Sequence, residues 1–261
     1  MEGGDSFKYL VKVDLDVHNP AANEFKLTVP LGWFNHANAP QRLIIQPDES
    51  VAEPEPRSPR ILDVFNRVFT TKDWGATVYG PFRQTAPRYI VIHHTANHNP
   101  PNDPSKRTEE GAKQLARSIQ RSHVKGAGFS DSGHNFLNST AGVLLEGRHG
   151  TLNAILQGKC VQSAHAPGAN TSPGIENEGC FGTGPRTGCP GEENAQTLQM
   201  TPEQWTSLVE LCAGICKSCD IDPDRIRGHR DFFPTECPGQ LLYDALPRLR
   251  AEVRDRLVKG F

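Results

Sequence analysis

Nothing in the sequence approaches the roughly 20 consecutive apolar residues that a membrane-crossing helix needs, so no transmembrane segment is expected. Net charge is equally scarce. The 28 lysines and arginines nearly balance 30 aspartates and glutamates, leaving −2, too weak a field to draw the chain toward nucleic acid or an anionic surface. No internal repeat is evident. The opening Met1-Glu-Gly-Gly-Asp5 lacks the basic and apolar regions of a secretory signal, so a classical export signal is not expected there.

What remains is the composition of a globular protein, 22% charged and 36% hydrophobic. Its 261 residues suit one main domain with room for a small appendage. Seven cysteines are many for this length, and an odd count prompts a search for one with a separate task. If Cys237 binds a metal, then Cys160, Cys180, Cys189, Cys212, Cys216 and Cys219 form an even set. Disulfides would suit an oxidising destination. Buried free thiols are also common in cores, and both readings stay open.

Residues 7–45 hold two short β-prone stretches, Tyr9 to Leu15 and Phe25 to Val29, separated by Asn19-Pro-Ala-Ala-Asn23, the pattern of a hairpin. Residues 46–60 are acidic and rich in proline, a composition that favours an extended linker. The expected division is therefore a β-rich extension with its linker at 1–60 and a main domain at 61–261. Within that domain strand and helix signals alternate. Arg88-Tyr-Ile-Val-Ile-His93 is a continuous apolar run suited to a buried central strand. Residues 108–123 place Ala112, Leu115, Ala116, Ile119 and His123 on one helical face. Residues 135–137 and 142–146 read as paired strands around Ser139-Thr140, and 173–177 as a further strand. Thr201-Pro-Glu-Gln204 is a helix start, with Gln204 at the capping-box position. A last helix covers about 240–258, kinked or restarted at Pro247. Such alternation predicts an α/β fold, a central mixed β-sheet flanked by helices.

Chemistry concentrates near the C-terminus. His229 and Cys237 lie eight positions apart, with Pro234 and Pro238 shaping the loop, and imidazole and thiolate are donors that zinc takes. A third ligand must come from elsewhere. The end of the apolar strand supplies His93 and His94, and ligands gather at the carboxyl ends of strands in open α/β sheets. Taken singly, a His-His pair is ordinary polar surface and Cys-Pro-Gly an ordinary turn. Three protein ligands with one open position would make a catalytic rather than a structural zinc site. Cys212, Cys216 and Cys219 have no nearby histidines, and their helical spacing reads as packing thiols or disulfides.

The order of the segments then carries a resemblance. Trp74-Gly-Ala76, Arg88 to Ala96, Ile119-Gln120 with His123, Asp131-Ser-Gly-His-Asn-Phe-Leu137 and Glu146-Gly-Arg148 follow one another, and Ala164-His165, Gly174-Ile-Glu176 and Gly228 to Gly239 continue the run. Over about residues 70–250 the chain resembles the type-2 N-acetylmuramoyl-L-alanine amidases and peptidoglycan recognition proteins. That resemblance implies Zn2+ held by His93, His229 and Cys237, with cleavage of the amide between N-acetylmuramic acid and L-alanine. The presence of Cys237 favours an enzyme, since non-catalytic members typically lack that ligand. His134 stands where the recognition branch has a tyrosine, as in a bacterial amidase branch that also carries a glutamate in a Gly-Ile-Glu strand. Glu176 is thereby implied as general base, with His134 and Thr235 assisting, and His165, Asn135 and Arg148 as substrate contacts. His94, on the other side of its strand from His93, and His123, on an apolar helix face, are expected to be structural. The partner implied is peptidoglycan, and the place of action the bacterial wall, whether the protein is secreted, periplasmic or delivered. Residues 1–60 would suit a delivery or wall-targeting element. The alternative is a module that binds peptidoglycan without cutting it.

Overall fold

The computed structural model describes residues 61–78, 80, 82–97, 107–182 and 199–260. The hairpin and linker expected within 1–60, and Cys189, lie outside the described residues. Seven strands occur among those described: β1 (Gln84–Thr85), β2 (Ile90–His94), β3 (Phe136–Asn138), β4 (Leu144–Glu146), β5 (Cys160–Val161), β6 (Gly174–Asn177) and β7 (Ile226–Gly228). Five build a mixed sheet in the order β4-β3-β6-β2-β7, and β1 pairs with β5 in a small antiparallel ribbon. The architecture is α/β, with helices on the sheet's two faces.

Ile90-Val91-Ile92 is fully buried because β2 is central, parallel to β6 on one side and to β7 on the other. β3 runs parallel to β6 and antiparallel to β4. The register places His93 opposite Glu176 and Ile92 opposite Gly228. Partners across a ladder share a face, so a histidine and a carboxylate stand side by side near the strand ends.

Five helices support this frame among the described residues: α1 (Glu109–Arg121), α2 (Thr151–Leu156), α3 (Pro202–Cys219), α4 (Gln240–Asp244) and α5 (Leu246–Lys259). Leu208, Leu211 and Ile215 of α3, with Leu249 and Val253 of α5, join Ile90, Ile92, Phe136 and Ile175 in the main core. Each such side chain contributes about 1.5–3 kcal/mol of burial. A 3-10 turn over Ile61–Arg67 adds Ile61, Val64 and Phe65 to the same core. On the other face Ala112 and Ala116 of α1 pack with Trp74, Leu137 and Leu145.

Two helix expectations need adjustment. The buried face of α1 is Ala112, Ala116 and Gln120, while Leu115 and Ile119 are half-buried. Gln120 belongs inside because its amide donates to Asp131 Oδ1 and the Thr77 carbonyl, while its oxygen accepts from Thr77 N–H. At the start of α3, Thr201 Oγ1 caps by accepting from Gln204 N–H at 3.1 Å. The Gln204 side chain does not turn back to complete a capping box. It donates instead to the carbonyls of Asn138 and Glu178, tying α3 to the sheet. Pro247 falls in the first turn of α5, just after α4 ends, so it restarts the helix.

Cys180 is disulfide-bonded. Cys160, Cys212, Cys216, Cys219 and Cys237 carry free thiols, and Cys160, Cys212 and Cys216 pack in the core. No helix among the described residues is long and apolar enough to cross a membrane.

Candidate metal centre

Two stretches distant in sequence, the end of β2 and the segment from β7 to Cys237, meet at the carboxyl ends of β2 and β7. Alternation along β2 separates the two adjacent histidines. His94 points to the opposite face, where its Nδ1 accepts Phe181 N–H at 3.2 Å and its ring stacks on Phe181. His93 faces the cluster. β7 runs directly into a 3-10 turn at His229–Asp231, pinned by Gly228 N–H donating to Asp231 Oδ2 and Tyr243 Oη donating to Asp231 Oδ1. Cys237 then returns on a loop closed by Arg230 N–H donating to the Cys237 carbonyl and Cys237 N–H donating to Thr235 Oγ1. Gly239 just beyond has φ +86°, and a Cβ there would lie 2.3 Å from the Phe181 carbonyl carbon.

One donor atom each from His93, His229 and Cys237 lies within 4.8 Å of the others, so the three can hold a metal ion. Cys237 Sγ is 3.6 Å from His93 Nδ1. Zinc–nitrogen and zinc–sulfur bonds of about 2.0 and 2.3 Å at a tetrahedral angle put the two ligand atoms about 3.5 Å apart. His229 Nε2 is buried with no hydrogen-bond partner among the described residues. The residues present therefore fit zinc in both chemistry and spacing.

Electrostatics point the same way. Burial, then the neighbouring His134, His165 and His229 imidazoles, hold His93 neutral well below the usual histidine range. Burial and His134 also lower His229. Burial and the Glu176 carboxylate push the Cys237 thiol up to about 12, outweighing the His94 backbone N–H and Arg230. A cation would reverse the penalty on the thiolate.

Glu176 is 6% exposed and forms an ion pair with His134 Nδ1. Burial alone would raise its pKa. His134, followed by His123 and His94, outweighs that and holds the carboxyl below its ordinary value. His134 comes from the loop before β3, whose Gly133 N–H donates to His123 Nδ1 at 2.9 Å. His123 itself sits half-buried in a π turn after α1, and burial lowers it to about 4. Thr235 is half-buried beside Cys237.

The three expected substrate contacts are turned inward. Asn135 is fully buried, its amide donating to Thr151 Oγ1 and the Val161 carbonyl while its oxygen accepts Gly174 N–H. Arg148 donates to the Ser132 carbonyl and Ser130 Oγ, bracing the loop that carries His134. His165 is buried, and both ring nitrogens meet protein atoms: His93 Nε2 at 2.9 Å and the Ser172 carbonyl at 2.9 Å.

Other neighbours give no clear signal in the sequence. Buried Asp131 accepts from Ser132 N–H, His149 N–H and Gln120, fastening the same loop to α1. Phe233 is 46% exposed and stacks on His229 at 6.1 Å, an apolar ring beside the candidate metal ligands. The Ser172 contact escapes any motif, because nothing local marks a carbonyl as a partner for His165.

Residues 83–240 match the family model described as N-acetylmuramoyl-L-alanine amidase. Among solved structures, wild-type Drosophila PGRP-LB is 24% identical with a TM-score of 0.53, over 69% of this chain and 92% of that one. Peptidoglycan recognition protein LE, solved in complex with tracheal cytotoxin, is 24% identical with a TM-score of 0.55, over 70% and 94%. These two likenesses bear on the fold, and they agree with the mixed sheet and its helices. No curated protein matches the chain. With more than half of its length inside the family match, the chain belongs to the N-acetylmuramoyl-L-alanine amidase family.

Proposed function

We propose that this protein is a zinc-dependent N-acetylmuramoyl-L-alanine amidase that hydrolyses the amide between N-acetylmuramic acid and the L-alanine of the peptidoglycan stem. The observation that carries the reading is the convergence of His93, His229 and Cys237 within 4.8 Å, with Glu176 paired to His93 across β2 and β6. His93, His229 and Cys237 are the zinc ligands. Bound zinc supplies Lewis acidity at the lactyl carbonyl and a nucleophilic water near neutral pH.

Glu176 is ionised at neutral pH, given its lowered pKa. It accepts a proton from the attacking water and returns it to the departing alanine nitrogen. His134 Nδ1 is paired with Glu176 Oε2, which orients the carboxylate and leaves Oε1 for the water. Thr235 Oγ1 already accepts the Cys237 N–H, so its own hydrogen remains to donate to the developing oxyanion. The amidase unit is assigned to residues 61–261. Support comes from the packing of Ile61, Val64 and Phe65 into the core and from the family match at 83–240. Residues 1–60 would be a separate delivery or wall-targeting element, and the place of action the bacterial wall.

Mass spectrometry of purified peptidoglycan before and after digestion tests this reading. The expected products carry new free L-alanine amino ends and no new reducing sugar ends, and Cys237→Ala yields none. Zinc-loaded protein that binds peptidoglycan yet frees no stem peptide at any pH would mark a recognition module instead.

A further inference from the structure

We infer that His165 is a positioning residue that fixes the tautomer of His93, so that Nδ1 is the nitrogen offered to the metal. The inference rests on the zinc reading above and concerns what holds its first ligand in place.

The argument runs along a chain of hydrogen bonds that begins at a backbone carbonyl. The Ser172 carbonyl can only accept, so the 2.9 Å contact with His165 Nε2 requires the hydrogen on that nitrogen. A neutral imidazole carries one ring hydrogen. His165 Nδ1 is therefore a bare acceptor. It lies 2.9 Å from His93 Nε2, which must then be the donor. The one hydrogen of His93 sits on Nε2, and Nδ1 is left with its lone pair 3.6 Å from Cys237 Sγ. Orientation of metal-bound imidazoles through the second ring nitrogen is a general device in zinc sites. Here the orienting group is another imidazole, whose tautomer is set by the backbone.

Gly174 makes the arrangement possible. A Cβ at that position would lie 2.5 Å from His165 Cγ, 2.6 Å from Cδ2 and 2.9 Å from Nδ1. Any side chain would push the ring off both partners. Gly174 N–H and carbonyl are meanwhile bound to Asn135, so its backbone is not free to yield. The Gly174-Ile175-Glu176 strand thus presents Glu176 to the site and, two residues earlier, leaves room for the ring that orients His93.

The test uses the full chain in three variants. His165→Leu removes the acceptor with similar bulk, His165→Asn keeps an oxygen near the Nδ1 position, and Gly174→Ala retains the His165 side chain but displaces its ring. Long-range 1H–15N imidazole spectra of the metal-free wild type should show His93 protonated on Nε2, and His165→Leu should show a mixture of tautomers. Zinc affinity, read by competition with a chromophoric chelator, should weaken about 10- to 100-fold in His165→Leu and Gly174→Ala, with His165→Asn closer to wild type. A wild-type His93 protonated on Nδ1 would overturn the inference. So would a His165→Leu chain with unchanged tautomer and unchanged affinity. Failure of the wild type to take up zinc would sink the metal reading alone, because the spectra of metal-free protein would still decide the tautomer.

Discussion

Loading the metal-free chain with zinc should release close to one proton per ion at pH 6.5. The thiol is the source. Burial and Glu176 put the pKa of Cys237 at about 12, so the group enters as a neutral thiol and must leave its proton to ligate. His93 is held well below the usual histidine range and enters bare, and His229, lowered by burial and His134, enters mostly bare, so the two histidines add little to the count. Removing the thiol proton at that pH costs roughly 8 kcal/mol at about 1.4 kcal/mol per pH unit, a cost zinc–thiolate bonding must exceed. Affinity should consequently tighten about tenfold per pH unit. Titration calorimetry in buffers of differing ionisation enthalpy counts the protons directly, and Cys237→Ala should bring the count near zero. Zero release in the wild type would mean that Cys237 is not a ligand or is already a thiolate. Two or more would mean that the histidines enter charged. Either result refutes the electrostatic reasoning.

Replacing Glu176 by Gln should lower kcat by about 10²- to 10⁴-fold, the usual weight of a general base, while zinc affinity, read by chelator competition, changes little. Near-normal turnover would remove Glu176 from the mechanism. Gly239→Ala should destabilise the Cys237 loop, because a Cβ would meet the Phe181 backbone at 2.3 Å at a φ that disfavours side chains. A loss of stability of at least about 1–3 kcal/mol and weaker zinc binding are expected, measured by urea unfolding and chelator competition. Metal-free protein should also lose stability as pH falls from 6.5 toward 4. Burial holds His94 neutral, with a pKa of about 4, so the unfolded chain takes up a proton that the folded chain refuses. This removes about 1 kcal/mol per pH unit, and buried His93, held well below the usual range, and His165, lowered to about 3 by burial, each add a comparable loss, with a smaller share from half-buried His123. Urea midpoints at pH 7 and pH 5 check it, and equal midpoints would contradict the burial argument.

Most of the sheet, and the start of α3, was legible in the sequence because the signals are local. The apolar run into His93, the paired strands around Ser139-Thr140 and the capped start at Thr201 each follow from propensity and period. The short strands β1, β5 and β7 leave no such mark, since two or three residues carry too little periodicity. Gln120 and Gln204 escaped for another reason. Their amides meet partners that are remote in sequence, and hydrophobic patterning assigns polar residues to the surface. The candidate metal cluster could be anticipated from residue type and motif order. The surroundings could not, because Asn135, Arg148 and His165 are chemically suited to a substrate but are turned by the fold toward Gly174, Ser132 and Ser172. Whether a polar side chain faces a groove or its own backbone is decided by tertiary packing, which no single segment encodes.

Zinc K-edge X-ray absorption on the loaded, substrate-free protein tests the central claim most directly. The account predicts two imidazole nitrogens and one oxygen at about 2.0–2.1 Å, with one sulfur at about 2.3 Å. A zinc shell without sulfur, or one closed by four protein ligands, would contradict it.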